Sequence, residues 1–199
     1  MGTRQTLVNA MVTAVIVRTF PCYTLHGIRV VFTDLRIDRD QGKTRLGEAF
    51  ALLAETDPRR HGQLVRYCRN IVIWGGHYTA ASPLNDIRLG VPHLMDTSAL
   101  ELASTLVHEV THLRIARYRI RYDQDSSERI ERRCIAEQAA FLREQGSEGQ
   151  AMAELIMESL SDPWWTDEAR RGDVDRLVLD AGLPRWTVPF MNGIRRIIR

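Results

Sequence analysis

Five residues in the middle of the chain, His108-Glu109-Val110-Thr111-His112, combine two metal donors with a carboxylate between them. On a helix, residues four apart share a face about one turn apart, so both imidazoles can reach one ion. The carboxylate beside the first histidine stands about 100° round the helix. It is therefore poised next to the ion's open position rather than on it. From there Glu109 can take a proton from water that the ion activates and pass it to a leaving amine. This chemistry requires a helix. Leu100, Ala103, Leu106, Val107, Val110 and Leu113 recur at helical spacing, which predicts one running to about Tyr118. Asp96-Thr97-Ser98 starts it. Ser98 and Glu101 have capping-box spacing, and Asp96 and Thr97 are the other candidate caps.

Two histidines do not complete a hydrolytic zinc site, which takes three protein ligands and keeps one position open. With its motif set in a helix, the chain resembles the zincin metallopeptidases, and among them the gluzincins. In that group a glutamate on a following helix is the third ligand. The longer metzincin pattern needs a glycine and a histidine soon after the second motif histidine, and Leu113–Tyr118 supplies neither. A following helix is expected over Glu128–Gln145, capped from Asp125, Ser126 or Ser127 and ended by Gly146. Its candidates are Glu131 and Glu137. At helical spacing Ile130, Cys134, Ile135, Phe141 and Leu142 form an apolar face, with Glu131 near its middle and Glu137 towards its edge. A carboxylate within an apolar stripe needs a partner, and a metal is a good one. Glu131 also follows His112 by 19 residues, close to the spacing in thermolysin-like enzymes. Glu137, with Phe141, fits the second-helix pattern of other short zincins and stays as the alternative third ligand. For either glutamate alone, the plain reading is a salt bridge to a nearby arginine.

The resemblance covers about residues 87–142, the expected metal-binding core. It implies one zinc ion held by His108, His112 and Glu131, with Glu109 as general base in the hydrolysis of a peptide or amide bond. It implies a peptide or protein substrate without naming one. Zincins lay substrate along a strand beside the cleft, and Ile87–Val91 is the candidate. Donors to a developing oxyanion are sought first in Tyr118 and Tyr122, then in His93, His77 and Tyr78. Two other readings compete. One is a catalytically quiet zincin-like domain with a binding or regulatory role. The other is a deformylase-like site with an upstream cysteine, Cys68, as third ligand. The surroundings of Cys68 (Arg66-Tyr67-Cys68-Arg69) depart from that family's pattern.

The rest of the chain must position these groups. Its 199 residues suit one domain, 1–199, and its 44% hydrophobic content suits a globular core. A net charge of +2 gives no reason to expect nucleic acid, and the arginine runs read as solvated helix faces. Three cysteines without regular spacing point to a reducing, cytoplasmic setting. The apolar run Leu7–Val17 is too short to span a bilayer and lacks a good signal-cleavage site, so a packed first helix or strand is expected there. Strands are expected at Gly27–Leu35 and Asn70–Trp74, with a polar turn at Asp38–Lys43. Helices are expected at Arg45–Glu55, Arg59–Arg69, Met152–Leu160 and Asp173–Ala181, the last in a tail with Trp164, Trp165 and Trp186. His77–Leu94 reads as a loop and an edge strand. The sum is an α+β fold, mostly helical, with a small sheet packed on the motif helix.

Overall fold

A computed structural model describes residues 20–34, 36–76, 79–82, 85–118, 120 and 126–161. The architecture is α+β and mostly helical, with one five-stranded mixed sheet. Its strands are β1 (Cys22–Leu25), β2 (Ile28–Phe32), β3 (Asn70–Trp74), β4 (Ala80–Ser82) and β5 (Asp86–Gly90), in spatial order β1-β2-β3-β5-β4. β2, β3 and β5 run parallel, while β1 and β4 close the edges antiparallel. The helices are α1 (Arg39–Thr56), α2 (Pro58–Tyr67), α3 (Val91–Asp96), α4 (Ala99–Arg117), α5 (Ser127–Arg143) and α6 (Gly146–Glu158). The Leu7–Val17 run and the tryptophan-bearing tail lie outside the described residues.

Alternation along the parallel strands sends Ile28, Val30 and Phe32, then Ile71 and Ile73, then Ile87 and Leu89, into one core. The register aligns Val30, Ile71 and Ile87 in one row, and Phe32, Ile73 and Leu89 in the next. Leu46, Phe50 and Leu53 of α1 and Leu102, Leu106, Val107 and Val110 of α4 pack into the same cluster. The motif helix is thus held against the sheet by its apolar stripe.

Local chemistry explains most boundaries. β1 and β2 join through His26 (φ 49°) and Gly27 (φ 84°), a two-residue turn that needs left-handed backbone at both positions. Asp57 ends α1 and caps α2, its carboxylate accepting from Arg60 N at 2.8 Å ahead of a helix that opens on Pro58. Ser98 caps α4, its hydroxyl oxygen accepting from Glu101 N at 3.1 Å.

Several sequence expectations need correction. Asp38–Lys43 is not a turn. Asp38 caps α1, accepting from Asp40 N at 3.0 Å and Gln41 N at 3.1 Å, so the polar run forms the first helical turn. Ile87–Val91 is not an edge strand, because β5 lies between β3 and β4, and Val91 already opens α3. The edge is β4, whose Ala81 is paired with Ile87. Gly146, at φ 77°, opens α6 with only Glu144 and Gln145 between it and the end of α5 at Arg143, rather than simply ending a helix, so α6 starts earlier than Met152. α5 and α6 cross closely at Gly149, where an added Cβ would stand 2.1 Å from the Leu142 carbonyl oxygen. No helix among the described residues is long and apolar enough to cross a membrane.

Candidate metal centre

α4 and α5 pack side by side and bring together groups distant in sequence. His108 Nε2 and His112 Nε2 lie 3.0 Å apart. Glu131 Oε2, from α5, lies 3.3 Å from each of them. Three ligand atoms on one tetrahedral zinc, each about 2.0–2.1 Å from it, would be about 3.3 Å apart. The triangle therefore has the size of a zinc face, and two imidazoles with a carboxylate are donors zinc accepts.

The tautomer of His108 is set by its neighbours. Its Nδ1 lies 3.1 Å from Gln138 Oε1, an acceptor, so the proton resides on Nδ1. Gln138 Nε2 donates in turn to Ser104 Oγ at 3.1 Å, and Ser104 Oγ donates to the Glu101 carbonyl at 2.8 Å. This relay leaves the Nε2 lone pair of His108 facing His112 and Glu131. Acceptors that converge this closely in a buried site need a cation among them, a proton at the least.

Glu109 lies beside this triangle, near enough for the charges of His108 and Glu131 to act on it. It is buried, and its pKa is pushed up to about 7. Burial is the main cause and the Glu131 charge adds to it, while His108 and a hydrogen bond from Ala81 N–H oppose it. That donor belongs to edge strand β4. Among the described residues Glu109 Oε2 has no hydrogen-bond partner. A carboxyl near neutrality, with one oxygen held and the other free, is suited to take up and return a proton.

Glu137, the alternative third ligand, is engaged elsewhere. Its carboxylate meets Arg133 at 2.7 Å, Arg114 at 3.1 Å and Arg60 at 3.4 Å, a clasp joining α5 to α4 and α2. Burial alone would raise its pKa, but the Arg114 hydrogen bond and the charges of Arg114, Arg133 and Arg60 hold it below the usual carboxylate value. Arg60 is also paired with Asp57.

Cys134 reads from sequence as a filler of the apolar face. Its Sγ in fact forms a group with the ligand atoms of His108 and His112, all within 4.8 Å of one another. Burial, then the nearby carboxylates of Glu131 and Glu109, push its thiol pKa up. Cys68, the upstream candidate, is buried and turned to the Asn70 carbonyl at 3.2 Å. Among the described residues it joins no group of metal donors.

The expected oxyanion donors are scattered. His93 Nε2 pairs with Thr105 Oγ1 at 2.9 Å, and burial lowers its pKa. Tyr118 is 72% exposed at the end of α4. It helps line a separate cavity of about 460 Å³ with Arg66, Tyr67, Arg69, Asn85 and Arg117. Tyr122, His77 and Tyr78 lie outside the described residues. Sequence reasoning missed Gln138 and Ala81. Gln138 follows Glu131 by seven positions, two helical turns, so the signal for it was present. The backbone N–H of Ala81 leaves no mark in sequence.

Compared with protein-family models, with curated proteins and with solved structures, the chain matches none.

Proposed function

We propose that this chain is a zinc-dependent hydrolase, a metallopeptidase or amidase of zincin type. The observation that carries the reading is the triangle of His108 Nε2, His112 Nε2 and Glu131 Oε2, with edges of 3.0, 3.3 and 3.3 Å. Glu109 stands beside it with a pKa raised to about 7.

In this reading His108, His112 and Glu131 hold Zn²⁺, and Gln138 keeps the His108 proton off the liganding nitrogen. A bound Zn²⁺ supplies Lewis acidity, making nearby water more acidic and a carbonyl more electrophilic. Glu109 accepts the proton that water gives up as it attacks, then delivers it to the leaving nitrogen. Ala81 N–H fixes one oxygen of Glu109 and leaves the other for this transfer. Strand β4, last in the sheet order and beside α4, is the place where an extended peptide would pair its backbone.

The test combines elemental analysis with turnover. Wild type should carry near one zinc, His108→Ala and Glu131→Ala should lose it, and Glu137→Ala should keep it. Glu109→Gln should keep zinc and lose cleavage of peptide libraries. A wild type that binds no zinc when supplied with it refutes the proposal, as does a fully active Glu109→Gln.

A further inference from the structure

We infer that Cys134 is a fourth protein ligand of the ion held by His108, His112 and Glu131, so that the resting site is closed by sulfur. The inference rests on the zinc reading above and concerns how that site is regulated.

Cys134 follows Glu131 by three residues on α5, so the two side chains project from one face, one turn apart. That face meets the histidine face of α4. The Cys134 Sγ and the ligand atoms of His108 and His112 are mutually within 4.8 Å. Sulfur and nitrogen on one tetrahedral zinc are about 3.6 Å apart. Each of these separations thus exceeds the bonded one by about 1.2 Å at most. Cys134 is fully buried, which shields the sulfur from solvent. A buried cysteine ordinarily fills apolar space. This one adjoins two imidazoles and the carboxylates of Glu131 and Glu109. The other buried cysteine, Cys68, points at a backbone carbonyl, and Cys22 is exposed on β1.

Ligation forms one sulfur–metal bond and releases the thiol proton to the buffer, with no change of oxidation state. Two imidazoles, a carboxylate and a thiolate would fill a tetrahedral site, leaving no place for water. Hydrolysis would then require the sulfur to withdraw. A soft sulfur donor also favours zinc or cadmium over manganese and magnesium.

The experiment replaces zinc with Co²⁺ in the full-length protein and records its absorption spectrum. A thiolate ligand gives an intense near-ultraviolet charge-transfer band. Tetrahedral cobalt gives visible bands whether or not sulfur is bound. The expected result is both sets of bands in wild type, with the charge-transfer band lost in Cys134→Ser and the visible bands retained. Visible bands without charge transfer in wild type overturn the inference and leave the histidine–glutamate site intact. A charge-transfer band that survives in Cys134→Ser comes from Cys22 or Cys68 and overturns it as well. Absence of any bound cobalt or zinc overturns both the inference and the zinc reading. If Cys134→Ser does not fold, the Cys22→Ser/Cys68→Ser double variant decides: a charge-transfer band that persists there comes from Cys134 and supports the inference, and a band that disappears overturns it.

Discussion

Replacing Gln138 with leucine tests the logic of the site without touching a ligand. Gln138 is buried, accepts from His108 Nδ1 across 3.1 Å and donates to Ser104 across 3.1 Å. Leucine keeps much of the volume and removes both bonds. The Nδ1–H then lacks an acceptor, and the proton is free to move to Nε2, the atom the site needs bare. Loss of such an outer partner costs about 10–100-fold in metal affinity, or roughly 1.4–2.7 kcal/mol. The stranded donor adds a stability cost of about 1–3 kcal/mol. Zinc affinity is measured by competition with a chelating dye, and stability by urea unfolding of the metal-free protein. Gln138→Glu keeps the acceptor and should retain affinity within a few-fold. The reasoning fails if Gln138→Leu binds zinc within twofold of wild type while His108→Ala does not bind it at all.

Three further outcomes are expected. The carboxyl of Glu109, raised from 4.5 to about 7, binds its proton more tightly when folded. In the metal-free protein its contribution is therefore full below its ordinary value and lost as pH rises through about 7, a change on the order of 3 kcal/mol. Urea midpoints of metal-free wild type should fall across this range, and Glu109→Gln should flatten the profile. Glu137→Ala should destabilise the fold by about 1–3 kcal/mol by opening the arginine clasp, read as a lower melting temperature at unchanged zinc content. Because the Glu137 pKa is lowered, that contribution is present above its ordinary value and disappears in acid as pH falls through the depressed one. Gly149→Ala forces a methyl to 2.1 Å from the Leu142 carbonyl and should cost about 1–3 kcal/mol or more as α5 and α6 separate; a melting curve like that of wild type would contradict the close crossing.

The long helices were legible because their apolar stripes are long and their caps conventional. Ser98 and Asp57-Pro58 mark boundaries in the sequence that the structure respects. The setting of the two glutamates was partly legible: the sequence puts Glu131 inside the apolar stripe of α5 and Glu137 at its edge, and in the fold Glu131 meets the motif histidines while Glu137 meets Arg133, Arg114 and Arg60. What escaped depends on tertiary pairing. β4 is three residues of small side chains, a strand only because β5 lies beside it. α3 was hidden by Pro92, which breaks a helix interior but suits a first turn. Asp38–Lys43 looked like a turn because its polarity hid a cap. Cys134 was sorted with the apolar residues because its neighbours on α5 are apolar, while the histidines it meets come from another helix.

The arginine clasp at Glu137 joins α5 to α4 and α2, six residues along α5 from Glu131. An ion held by His108, His112 and Glu131 would join the same two helices a second time. Two rivets along one seam reinforce each other, because each holds the helices at the separation the other requires. Occupancy at the metal position and adhesion at the clasp are then coupled, so an opened clasp weakens zinc affinity even where saturating zinc still fills the site. A partner that pries at Arg60 or Arg114 would loosen the ion from a distance, and a chelator would soften the clasp.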